Sequence, residues 1–160
     1  KAFYAVLPKR LAKFGLEIAE DKTRILPFGK GSGSKESFEF LGFSFHNGMV
    51  HKNFYVVVVL SSKKKMKAKR QAIKEWLYSV MHFPISDIVA KLNVKLLGRY
   101  HYYGVSGNTK SLSSYRNYCI KTLYSVLRRR GQKKRINWEK FNIFMKQSPI
   151  VSPKVYVKLW

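Results

Sequence analysis

At Ser61-Ser62 the hydrophobic period of the chain changes, and this change limits what it can fold into. Before it, aromatic and β-branched residues alternate in short runs; after it, apolar residues recur at helical spacing. Alternation builds a pleated sheet and the longer period builds helices. The chain therefore reads as α+β in two successive units. Residues 1–60 form a small β-hairpin unit, and residues 61–160 a mainly α-helical bundle of three to four helices.

The charge changes at the same place. The chain holds 32 Lys+Arg against 8 Asp+Glu, net +24. Residues 1–60 carry 9 basic and 5 acidic residues, whereas residues 61–160 carry 23 and 3. A surplus of this size repels itself in a compact body unless a polyanion is present. Nucleic acid is the first candidate and an anionic membrane surface the second. The longest apolar run, Phe54 to Leu60, has strand length and falls far short of a span, so no membrane partner is expected. Cys119 is the only cysteine, which excludes a disulfide frame and a thiolate metal site and fits a reducing cytoplasm. The chain opens on Lys1 inside a helical pattern, without an initiator Met or a visible signal peptide, and reads as part of a longer polypeptide.

In the first unit, Phe3, Leu7, Leu11 and Phe14 recur at helical spacing around Pro8. Leu16 to Leu26 suggests a short hairpin turning at Glu20 to Thr23, and Gly29 to Ser34 a flexible exposed loop. Ser37 to His46 is the clearest strand. Its four phenylalanines change parity at Leu41-Gly42, so a bulge or sharp bend at Gly42 is expected to return them to one face. Asn47-Gly48 is a hairpin-turn signal before the strand Phe54 to Leu60.

In the second unit, Ser61 or Ser62 can cap a helix striped by Met66, Ile73, Trp76, Leu77 and Val80. Lys63, Lys64, Lys65, Lys67, Lys69, Arg70 and Lys74 surround that stripe. A solvated basic face would account for the run. However, cations at a helix N-terminus cost stability, and a bound phosphate would relieve that cost. A second helix, about Ser86 to Tyr103, buries Ile85, Val89, Leu92, Leu96, Tyr100 and Tyr103 on one arc. Lys91, Lys95, Gly98 and Tyr102 gather on its flank, with Arg99 at the edge. Gly98 allows either a phosphodiester or a neighbouring helix to come close. A third helix, about Lys110 to Arg130, carries Leu112, Tyr115, Cys119, Leu123, Val126 and Leu127. Cys119 lies in that stripe as a buried, inert thiol. Arg116, Lys121, Arg128, Arg129, Lys133, Lys134 and Arg135 complete the candidate nucleic-acid contacts. A short helix with Trp138, Phe141, Phe144 and Met145 precedes an extended tail.

The eight acidic residues are scattered, and no aspartate pair could hold two Mg²⁺ ions. The four histidines show no metal-ligand spacing, and no phosphate-cradling loop is present. The chain has no self-sufficient active site and no metal site of its own.

The order FLGFSF, lysine-rich helix, LLGRYHYYGVSGNTKSLSSYRN resembles the C-terminal part of bacterial group II intron-encoded reverse transcriptase/maturases. The likeness covers nearly the whole chain, and YYGVSGN is its most specific piece. It implies the end of a polymerase palm over residues 1–60 and a helical thumb, or maturase X domain, over 61–160. Phe40, Leu41, Gly42 and Phe43 would form the primer grip. Lys22 falls where such polymerases carry a lysine near the leaving pyrophosphate, which implies a general acid; a solvated turn lysine is the alternative. The implied partners are group II intron RNA, an RNA/DNA template–primer, and the fingers and palm of the complete enzyme. The implied cofactor is Mg²⁺ in that complete polymerase, because the catalytic aspartates are absent here. A retron, CRISPR-associated or domesticated reverse transcriptase is one alternative, and a stand-alone basic nucleic-acid-binding module another.

Overall fold

The computed structural model describes residues 2–23, 25–50, 54–130 and 136–159. The fold is α+β: a three-stranded antiparallel sheet followed by packed helices. The order is α1 (Ala2–Ala12), β1 (Ser37–Phe40), β2 (Phe43–Val50), β3 (Phe54–Ser61), α2 (Lys63–Ser79), α3 (Ile85–Tyr103), α4 (Thr109–Arg130) and α5 (Trp138–Gln147). The sheet runs β1-β2-β3.

Of the bulge or sharp bend expected at Gly42, the bend is what forms, as a tight turn. Phe40 pairs with Phe43, so Leu41 and Gly42 alone reverse the chain. Their φ values of 49° and 80° are the paired positive angles of a two-residue hairpin whose twist matches its strands. Reversal places the four phenylalanines on one face, and Phe38 stacks on Phe45 at 4.9 Å.

Asn47-Gly48 does not turn. Both residues lie inside β2, opposite Val57 and Val56. Asn47 instead donates to Ser32 Oγ at 3.2 Å and to the Ser34 carbonyl at 2.9 Å, which ties the Gly29–Ser34 loop to the sheet. Gly48 makes room for the Val58 side chain, which an added Cβ would strike. Leu16 to Leu26 forms no strand among its described residues; its turn is a 3₁₀ helix over Glu20–Lys22.

The helices follow their sequence stripes. Met66, Ile73 and Leu77 from α2, Val89, Leu92, Leu96 and Tyr100 from α3, and Leu112, Cys119, Leu123 and Val126 from α4 enclose one core. Phe141 from α5 closes it. The tail after α5 is stitched across α3 and α4. Asn93 holds the Pro149 carbonyl and the Val151 amide at 3.0 Å each, and Gly104 accepts from Tyr156 and Val157.

Burial pushes the Cys119 thiol up to about 12. The thiolate is the reactive form, and this residue is fully buried. Ellman's reagent at mildly alkaline pH is expected to leave the native protein unlabelled and to titrate one thiol after denaturation. Prompt labelling of native protein would show that the helices open locally.

Candidate nucleic-acid interface

The faces of α2 and α4 that turn away from the core meet along a cationic groove. One concavity of about 420 Å³ includes Lys63, Lys67 and Arg70 in its wall. An adjoining one of about 610 Å³ includes Asn117 and Lys121. Arg70, Lys110 and Ser114 belong to both. Among the described residues, no acidic one lines either concavity. Arg70 is the hinge of the groove: its guanidinium donates to Ser114 Oγ at 2.9 Å and lies 5.4 Å from the Tyr118 ring centre. Its Nε is buried without a hydrogen-bond partner. Cations mixed with hydroxyl and amide donors suit phosphate oxygens, and such contacts position a nucleic-acid backbone without reading its sequence.

Lys63, Lys64, Lys65, Lys67, Lys74, Lys91, Lys95, Lys121, Arg128 and Arg129 are exposed. Several are already aligned over rings. Lys91 lies 5.5 Å from the Phe83 ring centre, Lys95 4.9 Å from Trp76, Arg128 5.7 Å from Tyr124 and Arg129 5.6 Å from Tyr78. A Cβ placed on Gly98 would meet nothing within 4 Å, so this glycine does not serve a close helix contact among the described residues. A helical glycine costs about 1 kcal/mol relative to alanine, and no packing need in this chain offsets that cost.

Two residues depart from the expected set. Arg99 is only 9% exposed, held between the rings of Tyr103 and Tyr115 at 4.6 and 4.4 Å. Burial lowers its pKa, and the two tyrosines partly offset that. It belongs to the α2–α3–α4 packing, held by Tyr103 one turn on in α3, by Tyr115 of α4 and by Met66 of α2. Arg116 is half-buried and donates to the Ile150 and Val151 carbonyls at 2.7 to 3.3 Å. It fastens the tail instead of facing solvent. Lys133, Lys134 and Arg135 lie outside the described residues.

The hairpin tip is docked on the end of α3. Tyr102 donates to the Leu41 carbonyl at 2.9 Å, and a Cβ at Gly42 would come within 2.6 Å of the Tyr103 hydroxyl. Phe43 packs against both tyrosines, at 5.9 and 4.9 Å between ring centres. Phe40 and Leu41 remain 60% and 65% exposed, so the tip presents apolar surface while its base is fixed. Ser62 sits at the N-cap position of α2, yet its hydroxyl donates to Glu39 Oε1 at 2.7 Å rather than capping the helix. Lys22 is exposed in the 3₁₀ turn.

The Mg²⁺ that the resemblance implies for a complete polymerase has no donor set here: among the described residues no three His, Cys, Asp or Glu side chains come together. No helix among the described residues is long and apolar enough to cross a membrane.

Sequence reasoning missed Lys110, Ser114, Asn117 and Asn108. The first three share one face of α4 with Lys121 at spacings of four, three and four, a helical period of polar residues that could have revealed the groove. Comparison with family models, with curated proteins and with solved structures finds no match for this chain.

Proposed function

We propose that this chain binds structured RNA through its phosphate backbone, as the thumb/maturase part of a group II intron-encoded reverse transcriptase. In that role it assists intron splicing and grips the template–primer. The observation that carries RNA binding is the α2–α4 groove, lined by five cations and by small polar donors, with no carboxylate. A-form duplexes are recognised mainly through shape, phosphates and 2′-hydroxyls, which such a surface can engage. The docked hairpin fits the same reading. Its exposed Phe40-Leu41 tip is held at a fixed place relative to the helices, as a primer support requires. DNA synthesis needs the catalytic aspartates and Mg²⁺ of the rest of such an enzyme.

Filter binding to a group II intron RNA and to an unrelated RNA duplex of equal length, across a salt series, tests this. Affinity for both is expected to fall steeply with salt, with the intron RNA bound more tightly throughout. Equal affinities would leave a generic basic module, and a flat salt dependence would remove RNA binding itself.

A further inference from the structure

A third concavity, of about 370 Å³, opens between α2 and α3, on a different face of α2 from the groove. Trp76, Tyr102, Tyr103 and Tyr115 line it, together with the open Cα of Gly98. Lys69, Lys95 and Arg99 contribute three positive charges, and no acidic residue faces them.

Two features point to an occupant. Arg99, at 9% exposure, is more than nine-tenths buried, and its Nε has no hydrogen-bond partner. Its guanidinium donates instead to the weak acceptor Met66 Sδ at 3.3 Å. A buried cation served only by ring faces and a thioether is costly, and a good acceptor brought into the cavity would lower that cost. The second feature is Tyr102, which keeps 52% of its surface exposed beside this cavity although Phe43 stacks on it.

We propose that this cavity takes one unstacked nucleobase from a single-stranded segment of RNA. The base lies against the Tyr102 ring and takes the place of the Lys95 ammonium over Trp76, while its flanking phosphates rest on Lys69 and the displaced Lys95. The proposal rests on the RNA-binding reading above and adds a site that the groove does not provide. The volume suits a planar ring system, at the low end of small-molecule pockets, roughly 300–1,000 Å³. Aromatic walls accept any base by its π-face, and cations at the mouth favour a strand over a neutral ligand. The absence of a lining carboxylate disfavours a basic peptide. Gly98 acquires a purpose, since any side chain there would project toward the opening.

The test uses an RNA hairpin with a single-stranded extension that carries 2-aminopurine at each position in turn. A matching set carries an abasic site instead. One 2-aminopurine position is expected to lose fluorescence on binding, as it stacks on the rings. The abasic RNA at that position should bind about tenfold more weakly, the worth of one stacked base. Gly98→Leu should abolish both effects and leave the salt dependence intact. Its melting temperature should not fall, because leucine is the better helix former. Unchanged fluorescence at every position, or a Gly98→Leu protein that behaves like the parent, overturns the proposal. Equal quenching by a free nucleoside monophosphate at the same concentration would make this a small-molecule site and overturn it too. If no RNA in the set binds, the RNA-binding reading falls as well; if all bind equally with a steep salt slope, the base pocket alone falls.

Discussion

Replacing Lys67, Lys110 and Lys121 together with glutamine is expected to weaken RNA binding on the order of a hundredfold at about 0.1 M salt. All three are exposed and line the α2–α4 groove. Each lysine that neutralises a phosphate releases roughly one condensed counterion. The logarithm of the affinity therefore falls with the logarithm of salt by about 0.7 to 0.9 per contact. Referred to 1 M salt, one contact is worth a factor of about five to eight at 0.1 M, and three multiply. The salt slope should fall by about 2 to 2.7. The folded state should not suffer, because removing three charges from a body of net +24 lessens its self-repulsion. The measurement is the slope rather than the affinity alone. An unchanged slope would put the nucleic acid on another face. An unchanged slope for this variant with a reduced one for Lys91 and Lys95 would move it to α3.

The helical half of the fold was legible because its stripes are long. Over α2, α3 and α4 the apolar period repeats for four turns or more, and every stripe residue ends buried or half-buried against the same core. The hairpin was legible in existence but not in register. The bend at Gly42 was legible in the parity of the phenylalanines, and Leu41 accepts φ 49° there; Asn47-Gly48, a strong local turn signal, lies inside β2 instead. Pairing decided it. The reversal at Leu41-Gly42 opposes Phe38 with Phe45 and Phe40 with Phe43, and it gives β2 eight residues to pair with β3. Aromatic cross-strand pairs and a longer ladder outweigh one favourable dipeptide. The site divided in the same way. Exposed lysines could be read from their positions on each helix. The hold of Tyr103 on Arg99 is an i,i+4 pair within α3 and lay open to a reading by spacing; that of Tyr115 on Arg99 and of the tail carbonyls on Arg116 did not, since those partners are distant in sequence.

The second large effect is expected at Asn108, which the sequence presents as one more polar residue in a GVSGN turn. It is fully buried. Its Oδ1 accepts from the Ser61 amide at 2.9 Å, and its Nδ2 donates to Ser61 Oγ and to the Tyr103 carbonyl at 2.9 Å each. One side chain thus joins the last residue of β3, the end of α3 and the start of α4, where the hairpin meets the bundle. Asn108→Ala strands a buried amide and a buried carbonyl, at about 1–3 kcal/mol each before relaxation. A total of about 3 kcal/mol corresponds to roughly 6–12 °C in melting temperature for a chain of this size. Asn108→Asp separates a hydrogen-bonding role from simple packing. At neutral pH it would bury a carboxylate that keeps the Ser61 donors but turns its second oxygen on the Tyr103 carbonyl, acceptor against acceptor. Burial raises a carboxyl pKa in the folded state above its unfolded value. The penalty is therefore full above the folded pKa and shrinks as pH falls through it. A neutral carboxyl can also donate to Tyr103 while still accepting from Ser61. Thermal melts from pH 7 to pH 4 should show the Asp variant recovering relative to the parent while the Ala variant does not. Parallel pH profiles for the two variants would mean that Asn108 only fills space. Recovery would identify its hydrogen bonds as what ties the last residue of β3 to the helices that bear the groove.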